Sequence, residues 1–95
     1  MNIQLDDFVE RISNYPFQKI ENETIVVDSK NRLMHQLDDV GSRVWELLIH
    51  KRSVQEVIDI IAGEYEVDFS TARKEITQFL QTLSEQKLIQ VFHNE

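Results

Sequence analysis

The chain has 95 residues, of which 41% are hydrophobic and 28% charged, and its formal net charge is −7. This length predicts one domain, spanning the whole chain, with a core too small to enclose a deep active site. The chain has no cysteine, which excludes disulfide bonds and zinc sites built on thiolates. The longest apolar runs are three residues, too short for a membrane span or a signal peptide, so we expect a soluble cytoplasmic protein.

The first 14 residues are compatible with two structures. Their larger apolar residues have the spacing of a short helix that begins after Asp6 or Asp7, and the same residues also suit a loosely docked arm. These residues are Ile3, Leu5, Phe8, Val9 and Ile12. Pro16 ends this segment, because the residue before a proline avoids helical geometry. The core of the domain is therefore expected over residues 16–92.

Three short segments rich in β-forming residues follow, at residues 17–20, 24–28 and 33–37. Polar turn residues separate them, at 21–23 and 29–31. This order predicts a small three-stranded antiparallel sheet. In the third segment Leu33, His35 and Leu37 share one face, while Met34 and Gln36 share the other.

Helical periodicity begins after residue 37. Asp38 or Asp39 caps a first helix, Ser53 and Glu56 form a capping box for a second, and Asp68 opens a third. The third helix turns a run of apolar residues inward: Phe69, Ala72, Ile76, Phe79, Leu80 and Leu83. Residues 88–92 predict a terminal strand or an extended tail. The predicted fold is α+β and winged helix-turn-helix-like, with an N-terminal three-stranded antiparallel sheet followed by three helices.

Catalysis receives little support from the sequence. His35, His50 and His93 lack any metal-ligand spacing, and two glycines cannot build a phosphate-binding loop. A carrier protein with a modified serine is also disfavoured, since Ser29 falls in a predicted hairpin turn. We therefore expect no enzyme activity, no catalytic or metal-ligating residue and no cofactor.

A winged-helix DNA-binding regulator is the alternative that the shape suggests. Its reading helix would contain Arg73 and Lys74, but residues 53–95 hold eight acidic and three basic side chains. Binding to a phosphate backbone needs the opposite balance of charge, so nucleic acid is an unlikely partner.

Peptide binding fits both the shape and the charge. The segment at residues 33–37 contains neither the proline nor the inward charge that usually protects the edge of a sheet. An extended peptide can add to such an edge as a further strand. The opposing interpretation is that this strand pairs centrally or is covered by the N-terminal arm.

The sequence also resembles the PqqD-like family, the recognition elements for precursors of ribosomally synthesised and post-translationally modified peptides. The resemblance runs from Pro16 to Phe92 and rests on residues 25–28, 33–48, 52–58, 64–68, 72, 79–83 and 88–89. Asp38, where the family often has asparagine, and His50-Lys51, where it often has Asp-Gly, are departures within turns. They leave the quinone-cofactor pathway and other pathways open.

The resemblance implies a non-catalytic domain that binds the leader of a precursor peptide as an extra strand beside its third helix. It then presents the peptide to a modifying enzyme, such as a radical-SAM enzyme, a cyclase or a leader protease. Carried onto this sequence, the site comprises Arg32, Leu33, Met34, His35 and Gln36 on the strand, and Arg73, Thr77 and Leu80 on the helix. Both a monomer and a homodimer are compatible with the sequence, and without the resemblance these residues also suit ordinary core flank and solvated surface.

Overall fold

The computed structural model describes residues 2–94, and these residues form six strands and three helices. In chain order they are β1 (Phe8–Arg11), β2 (Phe17–Ile20), β3 (Glu23–Asp28), β4 (Leu33–Leu37), α1 (Asp39–Leu47), β5 (Arg52–Ser53), α2 (Val54–Glu64), α3 (Phe69–Glu85) and β6 (Ile89–Phe92). The predicted α+β class is confirmed, with the winged-helix description as an approximation. Within residues 2–94, no helix combines the length and the apolar character that crossing a membrane requires.

The predicted three-stranded antiparallel sheet is confirmed, with strand order β2-β3-β4, and we call it the local sheet. Val26 at its centre is opposite Phe17 on one side and His35 on the other. Val26 is fully buried, and α1 packs against this inner face of the sheet. The outer face carries residues such as Met34, which is 70% exposed.

A second sheet, which the sequence analysis missed, has the order β5-β1-β6, and we call it the terminal sheet. Phe8 of β1 is opposite both Ser53 and Phe92. The helix considered for the first 14 residues is therefore wrong, and so is the loosely docked arm. The physical reason is that β1 owes its conformation to partners more than 40 residues away, which a local pattern cannot reveal. The extended segment near the C-terminus is strand β6.

The three predicted helix N-caps are confirmed. The side chain of Asp38 accepts a hydrogen bond from Gly41 N at 2.8 Å, and Asp68 accepts one from Thr71 N at 3.1 Å. Ser53 likewise accepts from Glu56 N at 3.1 Å. Only this half of the predicted capping box is present, because the Glu56 carboxylate accepts from Arg52 instead.

The core lies between the local sheet, the three helices and the terminal sheet. Trp45 of α1 is 1% exposed and contacts Phe17 edge to face, with ring centroids 6.0 Å apart, so its predicted role in the core is confirmed. Leu80 and Leu83 of α3 are buried as predicted. Phe69 is a correction, because it is 40% exposed at the first position of α3, beyond the reach of the core.

Candidate functional site

The strand β4 is an edge of the local sheet. Among residues 2–94 its only sheet partner is β3, and the N-terminal segment that might have covered it belongs to the terminal sheet. Both opposing interpretations of this strand are therefore excluded. β4 contains neither proline nor a charged side chain that would discourage pairing with another chain.

The register shows which backbone groups face outward at this edge. Val27 N donates to Pro16 O at 2.8 Å, so the backbone of Val27 faces β2. Hydrogen-bonding direction alternates along an antiparallel strand, and Val26 therefore faces β4 and its partner His35. It follows that the N–H and C=O groups of Met34 and Gln36 face the open side of β4.

The side chains of β4 differ in their exposure. Leu33 is 51% exposed, whereas His35 is half-buried and its Nε2 makes no hydrogen bond within residues 2–94. Arg32 lies just before the strand, in a turn, with a positive φ of 55°. Asn31 donates from its backbone and its side chain to the Asp28 carboxylate, at 3.2 and 2.9 Å. The side-chain hydrogen bond is the main reason why the pKa of Asp28 is lowered, and the two bonds fix the turn that starts β4.

One flank of α3 faces the end of this strand. Glu75 and Phe79 line a cavity of about 170 Å³ together with Asp38 and Gly41, which directly follow β4. A Cβ atom at Gly41 would lie 3.1 Å from Phe79 Cζ and 3.4 Å from Leu37 Cβ, so the Phe79 ring and the last residue of β4 both lie beside Gly41. The α3 flank beside β4 is therefore the one that carries Glu75 and Phe79.

The predicted helix residues lie elsewhere on α3. Arg73 and Thr77 line a cavity of about 590 Å³ together with the N-terminal residues 2–4. Leu80 is fully buried, so a guest peptide reaches it only if the core opens. The structure brings the five predicted strand residues together and does not bring Arg73 and Thr77 beside them. Their role in binding a leader stays a prediction.

Sequence reasoning missed Phe79 as a site residue, although it recognised its inward direction. Phe79 and Glu75 recur four residues apart on one side of the buried stripe of α3, and Arg73 and Thr77 recur in the same way on the other side. The two flanks have the same periodicity. Only the packing of α3 against α2 and β6 decides which flank faces β4.

The ionisable groups with shifted pKa values serve the fold. Burial, together with a hydrogen bond to Asp39 at 2.9 Å, raises the pKa of Tyr65 to about 12. Arg43 donates two hydrogen bonds of 2.8 Å to Glu64, and this hydrogen bonding is the main reason why the pKa of the Glu64 carboxyl is lowered. Within residues 2–94, no three His, Asp or Glu side chains converge as a metal site. The candidate site is thus a backbone edge with neighbouring side chains.

Comparison with known proteins gives two matches. The sequence profile of a family described as "Coenzyme PQQ synthesis protein D (PqqD)" matches residues 23–89. No curated protein sequence matches this chain. A solved structure described as "TbiB1 in Complex with the TbiA(beta) Leader Peptide" superposes with a TM-score of 0.78 and 27% sequence identity, covering 90% of this chain and 99% of that one.

Proposed function

The chain belongs to the PqqD family, and from that premise we propose that it binds the leader segment of a ribosomally synthesised precursor peptide as a strand added to β4. The observation that carries this proposal is the free backbone edge of β4 beside α3. It occurs in a fold shared with TbiB1, which was solved together with a leader peptide. Backbone hydrogen bonds supply affinity in this mode of binding, and alternate side chains of the guest supply specificity.

The strand side of the proposed site consists of the residues that the sequence analysis identified. Met34 and Gln36 offer their backbone groups to the guest strand, while Leu33 and His35 border it on the inner face of the sheet. Arg32 stands at the entry of the strand, where its guanidinium is exposed to a leader carboxylate.

On the helix side, the contacts favour Phe79 and Glu75 as the wall of the site. Phe79 supplies an apolar surface beside Gly41, just after the end of β4, and Glu75 is exposed on the same flank. Arg73, Thr77 and Leu80 stay in the proposal as predicted residues. An Arg73→Gln variant decides this point, because it weakens leader binding only if the leader also reaches the other flank.

The domain needs no catalytic group in this function. It presents the bound peptide to a separate modifying enzyme in the cytoplasm, of the radical-SAM, cyclase or leader-protease type. The DNA-binding alternative gains no support, since the chain carries a net charge of −7 and the match is to a leader-binding fold.

A pair of proline variants tests the proposal by titration with the precursor peptide encoded beside the gene. Met34→Pro removes an N–H that has no partner within residues 2–94 and weakens leader binding by about tenfold or more. His35→Pro removes an N–H that bonds to β3. In addition to weakening leader binding, this variant therefore lowers the free energy of unfolding by about 1–3 kcal/mol. Isothermal titration calorimetry measures the affinity, and urea unfolding measures the stability.

The opposite edge of the same sheet supplies the control. Lys19 of β2 lies between residues whose backbone faces β3, so Lys19→Pro also removes an outward N–H, at the cost of an exposed ion pair with Glu46. This variant keeps full affinity for the leader. Unchanged affinity in Met34→Pro, or equal losses in Met34→Pro and Lys19→Pro, would show that the leader does not add to β4.

A further inference from the structure

The second flank of α3, which carries Arg73 and Thr77, borders a continuous depression on the side away from β4 and Phe79. Two cavities of about 590 and 420 Å³ adjoin each other here, and both are lined by Ile3 and Gln81. One extends along α3 to Arg73, and the other extends along β6 to Ile89. We call the two together the α3–β6 trough.

The edge of β6 opens into this trough. β6 pairs only with β1 among residues 2–94, and Ile12 N donates to Leu88 O at 3.0 Å, so the backbone of residue 88 faces β1. Because the direction alternates along an antiparallel strand, the backbone groups of Ile89, Val91 and His93 face away from β1. These same three residues line the trough. β6 contains no proline and no charged residue, so nothing in it discourages a further strand.

The charge of the trough is opposite to that of the chain. Within residues 2–94 its lining includes Arg73 and Lys74 and no carboxylate, although the net charge of the chain is −7. Arg73 and Lys74 are exposed, and they make no ion pair within the described part of the chain. By contrast, the cavity beside Phe79 is lined by Asp38 and Glu75. The trough is therefore complementary to a ligand that carries carboxylates.

We propose that the α3–β6 trough binds an extended acidic segment of the modifying enzyme, which adds to β6 as a further strand and places its carboxylates beside Arg73 and Lys74. The identity of this partner rests on the proposed function. The two edge strands lie on opposite flanks of α3, so leader and enzyme bind at the same time without competing for one edge. The domain then joins two extended chains. One is the leader, which is neutral or basic where it lies beside Glu75, and the other is the acidic segment of the enzyme.

The test uses short fluorescein-labelled peptides of alternating valine and threonine, with a pair of glutamates at the N-terminal end or at the C-terminal end. Matched peptides carry glutamine instead of glutamate. Fluorescence anisotropy is expected to show tighter binding of a glutamate peptide than of its glutamine counterpart. Arg73→Gln weakens the binding of the glutamate peptide by about two- to fivefold, the effect of an exposed ion pair. The matched variant Lys30→Gln removes the same charge from a remote turn and leaves this affinity unchanged.

Proline variants separate this site from the leader site. Val91→Pro weakens binding of the glutamate peptide by about tenfold through the lost strand hydrogen bond, and leaves leader binding intact. Met34→Pro has the reverse effects. If Val91→Pro does not fold, the backbone amide shifts of Ile89 and Val91 in the unmodified protein report the same contact by NMR.

Equal binding of glutamate and glutamine peptides, or loss of glutamate-peptide binding in Met34→Pro alone, overturns the inference. Failure of the leader titration alone overturns the proposed function and not the trough.

Discussion

The two sheets of this small domain obtain the same antiparallel geometry from different sources. The local sheet comes from one continuous stretch, residues 17–37, whose strands are joined by tight turns. The terminal sheet combines β1, β5 and β6, which lie near the start, the middle and the end of the chain. The first sheet is therefore encoded by neighbouring residues. The second exists only when the rest of the fold brings its strands together.

The contacts that hold each sheet also differ. Asp7, just before β1, is 2% exposed and accepts hydrogen bonds from Gln4 N at 2.8 Å and Asn94 N at 3.1 Å. His93 Nδ1 lies 3.0 Å from the same carboxylate, so one side chain links the start of β1 to the end of β6. The local sheet is instead anchored by its packing on Trp45. Arg11 of β1 connects the two, because its guanidinium lies 4.7 Å from the Phe17 ring centroid and 5.2 Å from that of Trp45.

The largest predicted effect concerns Trp45, which contacts Phe17 of the local sheet and Arg11 of the terminal sheet. Trp45→Ala removes a buried ring that contacts Phe17 and Arg11, and we expect it to lower the free energy of unfolding by about 3–5 kcal/mol. Urea unfolding followed by far-UV circular dichroism measures the loss. If the two sheets form one cooperative unit, a single transition persists and moves to lower urea concentration.

Trp45→Phe is the matched control for this prediction. It keeps an aromatic ring against Phe17, and Nε1 of Trp45 has no hydrogen bond to lose within residues 2–94. We expect a cost of about 1–2 kcal/mol, from the smaller volume alone. A second transition in Trp45→Ala would mean that the sheets unfold separately, and the contrast between them would then extend to their stability.

A smaller effect is expected at the terminal sheet from Asp7→Asn. Burial raises the pKa of Asp7, but the hydrogen bonds from Gln4, Asn94 and His93 together outweigh burial and lower it below the ordinary value of 3.8. The ionised carboxylate therefore stabilises the fold fully above about pH 4, and this stability is lost as the pH falls through the folded-state pKa. At pH 7 we expect Asp7→Asn to cost about 2–3 kcal/mol, because charge-assisted hydrogen bonds are lost.

The pH dependence distinguishes this mechanism from a simple packing defect. The difference in unfolding free energy between Asp7→Asn and the unmodified protein narrows below about pH 4, where Asp7 itself becomes neutral. Asp6→Asn removes the same charge from the exposed neighbouring residue and has little effect at any pH. A difference that stays constant down to pH 2 would show that the charge of Asp7 does not hold the terminal sheet.

The same contrast explains what the sequence predicts well. The strands of the local sheet and the caps at Asp38, Ser53 and Asp68 were predictable, because each depends on residues within a few positions. β1 was not, since its apolar residues fit a helix as well as a strand until β6 pairs with it. The candidate site divides in the same way. Its edge strand follows from local pattern, whereas the flank of α3 beside that strand depends on tertiary packing.

The smallest predicted effect is the change in stability when either of the two glycines, both of which lie in helices, is replaced by alanine. It separates the contribution of local helix propensity from that of tertiary packing. A Cβ at Gly63 of α2 meets no atom of residues 2–94 within 4 Å, so Gly63→Ala stabilises the protein by about 0.5–1 kcal/mol through helix propensity alone. At Gly41 of α1 the same gain is opposed, because the Cβ would lie 3.1 Å from both Phe79 Cζ and Asp38 Oδ1. We therefore expect Gly41→Ala to show no gain in urea unfolding and, by displacing Phe79, to change leader affinity while Gly63→Ala does not. Equal stabilisation by both variants would show that the Phe79 ring yields freely, and such a ring could not serve as a fixed wall beside β4.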